Sequence, residues 1–162
     1  MTAPARAAGF TMVELVVVMI LIGVLAAIGI PRLMGDKNME GAVFGDQVVS
    51  GLRRAQKIAT GHRRTVCATV GPKAVIVRLY VGNSCSLAVT GLTDDDYATT
   101  DSVLTVKSTP TTLYFQPDGR ITQDAAGATA VSAGAIDISG NVNGQNTTFR
   151  TIHVEGTTGY VE

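Results

Sequence analysis

The chain has no tryptophan, and its four tyrosines and four phenylalanines are scattered, so no aromatic stacking platform is visible. It has no net charge either: 13 basic side chains cancel 13 acidic ones. That balance excludes a protein that coats nucleic acid by bulk charge. Two cysteines are too few for a disulfide-dense miniprotein, and they do not stand at metal-ligand spacing. Phosphate-loop and dinucleotide glycine signatures are absent. His62 and His153 are far apart, and no nucleophile triad or paired-carboxylate pattern stands out. No enzyme is expected, and no cofactor or metal. Eighteen glycines without a three-residue period exclude collagen and imply many turns. What remains is 162 residues, 46% hydrophobic and 16% charged, enough for one ordinary domain or a small domain with an appendage.

Both averages hide an uneven layout. Met1 to Tyr80 carries ten basic and four acidic residues, a balance of +6, and Val81 to Glu162 carries three and nine, a balance of −6. The apolar residues cluster more sharply still. Leu15 to Ile30 is sixteen residues without a polar side chain, and Phe10 to Val13 extend the segment, interrupted once by Glu14. A membrane-spanning helix needs roughly 20 apolar residues. A buried core helix rarely stays apolar all round for five turns. A cleaved secretory signal would end after small residues, and Ile28, Ile30 and Pro31 fit that poorly. A plain signal anchor leaves Glu14 unexplained, since a carboxylate in the bilayer costs on the order of 3 kcal/mol and needs a partner.

The short leader with Arg6, then Gly9 directly before Phe10-Thr-Met-Val-Glu14, then the apolar run and Pro31, closely resembles the start of a type IV prepilin. The resemblance implies cleavage between Gly9 and Phe10 by a prepilin peptidase, with N-methylation of Phe10. Arg6 would stay on the cytoplasmic side, as the positive-inside rule asks. The freed Phe10 ammonium and the Glu14 carboxylate are four residues apart, on one helical face. In the family this Glu is understood to pair with the amine of a neighbouring subunit, and pairing with its own amine is the alternative. Such a pair sets register more than it adds stability. Gly23, Gly29 and Pro31 would weaken or kink the helix.

Beyond Pro31 the pattern is amphipathic: Val48, Val49, Leu52, Ala55, Ile58 and Ala59 recur at spacings of three and four. Arg53, Arg54, Gln56 and Lys57 fall largely on the other face. Gly61 would cap the helix end, so one long helix is expected over about 10–60. From Arg64 the chain reads as strand and turn. Strands are expected at 65–70, 74–81, 103–107, 112–115, 135–139, 148–154 and 159–161, with turns at Gly71-Pro72, Pro117-Asp118-Gly119, Gly140-Asn141 and Gly144. Loops are expected at 90–101 and 123–134. The fold class is α+β, a long N-terminal helix with a transmembrane half and an amphipathic half, the latter packed on an antiparallel β-rich domain. The divisions are a leader at 1–9, a transmembrane and filament-core helix at 10–31, an amphipathic half at 32–62 and a globular head at 63–162.

Three stretches of this second part, Leu52-Arg-Arg-Ala-Gln-Lys-Ile-Ala59, Phe115-Gln-Pro-Asp-Gly-Arg120 and Ile152-His-Val-Glu-Gly-Thr-Thr-Gly-Tyr-Val161, look like the GspH/FimT family of minor pilins and type II secretion pseudopilins. The pattern is similar to minor pilins of mannose-sensitive-haemagglutinin-type pili. The resemblance implies an inner-membrane single-pass protein with a periplasmic head, later built into a pilus or pseudopilus. Its partners would be other pilin or pseudopilin subunits, the prepilin peptidase and the inner membrane. In that oxidising compartment Cys67 and Cys85, 18 apart around an expected hairpin, suit a disulfide, with two free buried thiols as the alternative. Some relatives bind DNA, which makes nucleic acid the alternative partner for Arg53, Arg54, Arg63 and Arg64. Those relatives use basic residues near the C-terminus, where this chain has no Arg or Lys. Asp94, Asp95 and Asp96 could hold calcium but lack EF-hand spacing and read as a polar loop.

Overall fold

The computed structural model describes residues 10–34, 37–132, 134–142 and 144–162, and the side chains of 29–34 are outside that description. Gly9, Arg6 and the rest of the expected leader lie outside it as well. Two compact units result, divided between Asp36 and Lys37.

The first unit is helix α1, Met12–Met34, which stays helical past Pro31. Thr11 starts it: its hydroxyl accepts the Glu14 N–H at 3.3 Å, and its carbonyl accepts the Leu15 N–H at 3.2 Å. This is the N-cap geometry expected of a threonine before an apolar run. Phe10 to Ile28 is exposed apart from half-buried Ala26. Among the described residues no helix is long and apolar enough to cross a membrane. The described side chains of α1 run from Met12 to Ile28, 17 residues. The side chains of residues 29–31 of the expected spanning segment lie outside that description, and a segment that crosses a membrane over 10–31 is not shown.

The second unit is the head. It opens with helix α2, Lys37–His62. The described helical residues of the helix expected over 10–60 are Met12–Met34 and Lys37–His62, and Gly35 and Asp36 between them lie outside the described residues. Nine strands follow: β1 Val66–Val70, β2 Val75–Val81, β3 Ser84–Ala88, β4 Leu104–Thr109, β5 Thr112–Phe115, β6 Ile121–Thr122, β7 Gly134–Val142, β8 Gln145–Glu155 and β9 Tyr160–Val161. They form two antiparallel sheets, in the orders β3-β2-β1-β5-β6 and β4-β7-β8-β9. Alternation in β1, β4 and β7 turns Val66, Ala68, Leu104, Val106, Ile136 and Ile138 inward. These meet Phe44, Val48, Leu52, Ala55 and Ala59 of α2 in one core.

The buried face of α2 also includes Gly41, Gly45 and Gly51. Each is a place of close approach, where a Cβ would meet the Phe149 ring, the Arg150 side chain with Ile138, and the Tyr97 ring respectively. The helix does not end at Gly61. Arg63 takes the left-handed conformation (φ 49°) and the Arg64 N–H reaches the Ala59 carbonyl at 3.2 Å, a Schellman closure with arginine in the glycine position. Every expected strand is present. The short strands β3 and β6 were not anticipated: β3 follows the two-residue turn Gly82-Asn83 (φ 59° and 69°) and opens on the polar run Ser84-Cys85-Ser86, and β6 is only two residues long. Gly140 and Asn141 lie inside β7 rather than in a turn. The turn falls at Gly144, whose N–H donates to Asn141 Oδ1 at 3.0 Å. Gly140 pairs with Leu104 and Thr147 there, and the Phe149 ring and the Val103 carbonyl leave no room for a Cβ at that position.

Candidate functional site

The first candidate site is the start of α1. Phe10 is 82% exposed, and Glu14 stands one turn on, in the first turn of a helix whose other described side chains there are apolar. Among the described residues the Glu14 carboxylate has no hydrogen-bond or ion-pair partner; only its backbone N–H is engaged, by Thr11. A helix bare on all sides with one unpaired carboxylate near its end can do little chemistry alone. It can anchor in an apolar medium and accept one cation at a defined height. Thr11 was not singled out from the sequence, although Thr-x-x-Glu before an apolar run is a start signal.

The second candidate is the set of residues behind the narrower resemblance. Gln56 of α2 donates both amide hydrogens, to the Gly119 carbonyl at 3.0 Å and the Gly159 carbonyl at 2.8 Å. It thereby joins the three separate stretches at one point. Gly159 (φ 72°) has no space for a side chain because the Gly119 carbonyl and the Gln56 amide sit against it. Gly156 is enclosed by backbone: it accepts from the Ile121 N–H and donates to the Val131 carbonyl, both at 2.8 Å. Gln116 accepts from Thr65 Oγ1 at 3.2 Å and donates to Thr122 Oγ1 at 2.8 Å and the Asp124 carbonyl at 3.3 Å. These residues order the head; none presents a reactive group to solvent.

Cys67 and Cys85 are joined by a disulfide, with Cα atoms 5.9 Å apart. It links β1 to β3, which both flank β2 and do not pair with each other. Tyr114 pairs across from Cys67 and Tyr80 across from Cys85, and the two rings meet edge-on at 6.1 Å. Cys67 is fully buried.

The expected basic cluster is divided. Arg53 donates to the Val161 carbonyl at 2.9 and 3.3 Å, and Arg54 to the Gly91 carbonyl at 3.2 Å. Both are tied to neutral carbonyls rather than to carboxylates. Arg63 and Arg64 lie past the helix end, away from them. Asp94 pairs with Arg78 at 2.6 Å and Asp96 accepts the Thr93 N–H at 2.7 Å. Among the described residues no group of His, Cys, Asp and Glu could hold a metal ion. The strongest electrostatic cluster was not anticipated. Lys37 bridges Asp101 at 2.6 Å and Glu40 at 2.5 Å, and Asp101 also accepts the Val103 N–H at 2.7 Å. The Lys37 ammonium first, then the Val103 N–H, hold the Asp101 carboxyl far below the usual carboxylate range. Its members are 64 residues apart, so spacing could not reveal it.

A bare apolar helix bearing a start-proximal carboxylate, followed by a disulfide-tied head of one helix on two sheets, defines the pilin-like class of fold. Comparison with known proteins agrees. A family model described as the prokaryotic N-terminal methylation motif matches residues 4–30. The chain is 38% identical over 55 residues to the type IV narrow pilus major component PilA5 of Thermus thermophilus, which covers 34% of this chain and 47% of that one. The match thus spans about half the length of that relative. The fold is similar to that of the type IV minor pilin FimU of Pseudomonas aeruginosa, with a TM-score of 0.53 and 16% identity over 76% of this chain and 87% of that one. At that identity the likeness concerns the fold alone. The chain thus carries the N-terminal methylation motif and has a pilin-like fold.

Proposed function

We propose that the chain is a pilin subunit that is held in the inner membrane by its N-terminal segment and then built into a type IV pilus or a type II secretion pseudopilus. The observation that carries this reading is α1 itself. Its large apolar side chains are bare from Phe10 (82%) to Ile28 (67%), while the head closes a complete core without them. So much exposed apolar surface is unstable in water and calls for lipid or a bundle of like helices. Cleavage between Gly9 and Phe10 by a prepilin peptidase creates the ammonium that Glu14 lacks. The methylated Phe10 of the mature chain then enters the filament core, where Glu14 meets the amine of a neighbour. The head, like that of a minor pilin, faces outward and takes part in starting assembly with other minor pilins, its disulfide formed in the periplasm.

Mass spectrometry of the mature protein should show methyl-Phe10 at its N-terminus. An intact Met1, or a cut after Ala27, would sink the reading. Binding of DNA or a surface ligand by the head is the second reading, supported by Lys57, Arg63 and Arg64, whose charges no described carboxylate neutralises. A gel shift that salt abolishes, and that Arg63→Ala with Arg64→Ala removes, would favour it over a purely structural head.

A further inference from the structure

The outward face of α2 is a charged surface with two unlike flanks. One flank is tied to β8 and β9: Gly45 lies against Arg150, Arg53 reaches Val161 and Gln56 reaches Gly159. Here an open groove of about 560 Å³ is lined by the cations Arg53, Arg54, Lys57 and Arg150 against the carboxylates Asp46 and Glu162. Arg150 is matched by Asp46 at 2.5 Å. Arg53 and Arg54 are bonded to neutral carbonyls, and Lys57 has no acidic partner among the described residues, so the groove stays cationic.

The opposite flank is tied to the loop after β3. Tyr97 packs on Gly51, and Arg54 holds the Gly91 carbonyl. That loop presents Asp94, Asp95 and Asp96, all exposed. Arg78 neutralises Asp94, and the Asp95 carboxylate has no partner among the described residues. The loop is held in place by buried Tyr97, by the Ala98 N–H on the Asp95 carbonyl at 3.2 Å and by the bridge between Ala74 and Ala98. It is preorganised to present negative charge.

We infer that the groove beside Lys57 receives the Asp94–Asp96 loop of a second copy of this chain. The two patches have opposite charge and lie on opposite flanks of one helix. Such a contact is head-to-tail: each copy offers its loop to the next and its groove to the one before. Contacts of this type propagate into open helical arrays, whereas a self-complementary patch closes a dimer. Steering by unlike charges also favours the correct neighbour over a wrong one. This inference rests on the proposed filament role and adds to it a lateral contact between heads.

The test uses the full chain in membranes or filaments of cells that carry two tagged versions, Ser50→Cys and Thr93→Cys, which keep every charge of groove and loop, treated with a short bis-maleimide. A cross-link at twice the mass of the chain is expected only when both versions are present. At about 1 M salt, where the screening length is roughly 3 Å, the product should fall about ten-fold. Lys57→Glu in the Ser50→Cys version should reduce it similarly. Cross-linking of Ser50→Cys to itself, a product only with a chain of another mass, or no product at all would each overturn the inference. The N-terminal mass of the same variants separates the two readings. Processed, methylated chains without the cross-link fail only this contact, whereas unprocessed chains fail the filament role beneath it.

Discussion

Arg63 shows how a single residue departs from the local rule. It occupies a left-handed position that glycine fills at no steric cost, and among the described residues its side chain makes no hydrogen bond or ion pair that offsets the strain. Arg63→Gly should therefore stabilise the head by about 1 kcal/mol, read as a higher urea midpoint at unchanged slope. Gly156 is the reverse case. A Cβ there would lie 2.6 Å from the Val131 carbonyl oxygen and closer still to that of Ile121. Because those neighbours are backbone, they cannot rotate aside. Gly156→Ala should cost on the order of 3 kcal/mol or more, measured by the same denaturation. At Glu14 the effect belongs to assembly. Glu14→Ala should leave the thermal transition of the head unchanged and lower recovery of the chain in sheared filaments; normal recovery would remove its docking role.

At the scale of elements, α2 is the organiser. Its buried glycines admit Phe149, Arg150 and Tyr97, and its Gln56 holds two turns that lie 63 and 103 residues away. Gln56→Ala would leave two carbonyls without their donor, at a cost of about 1–3 kcal/mol in stability. The start of α2 is fastened by Lys37 to Asp101. Since the folded Asp101 pKa is depressed below the unfolded value of 3.8, the stabilisation is fully present above about pH 4 and is lost as pH falls through the folded pKa. An acid titration of thermal stability should be flatter below pH 4 for Asp101→Asn, which should also melt lower at neutral pH. The disulfide between β1 and β3 closes a loop of 18 residues. Its removal by paired Cys→Ser changes should cost roughly 3 kcal/mol on the chain-entropy account.

For the whole molecule, the zero net charge is a cancellation between the first 80 residues and the rest, and it falls within the head, because residues 1–36 carry two basic and two acidic side chains. The apolar content divides differently, between the bare surface of α1 and the closed core of the head. Much of this was legible in the sequence because it is written in contiguous residues. The Gly9-Phe10 junction, the Glu14 spacing, the unbroken run to Ile30 and the alternation of the longer strands all depend on neighbours within a turn or a strand. They point to a pilin-like chain before any contact is known. Tertiary structure alone decided what long-range contacts make of the remaining polar residues. It assigned Gln56, Gln116, Gly156 and Gly159 to ordering the head, spent Arg53 and Arg54 on carbonyls, and set the Asp94–Asp96 loop and the Lys57 groove on opposite flanks of α2. The reason is physical: side-chain hydrogen bonds and close approaches are settled by which strands lie beside one another, and sheet order joins residues whose separation along the chain carries no pattern.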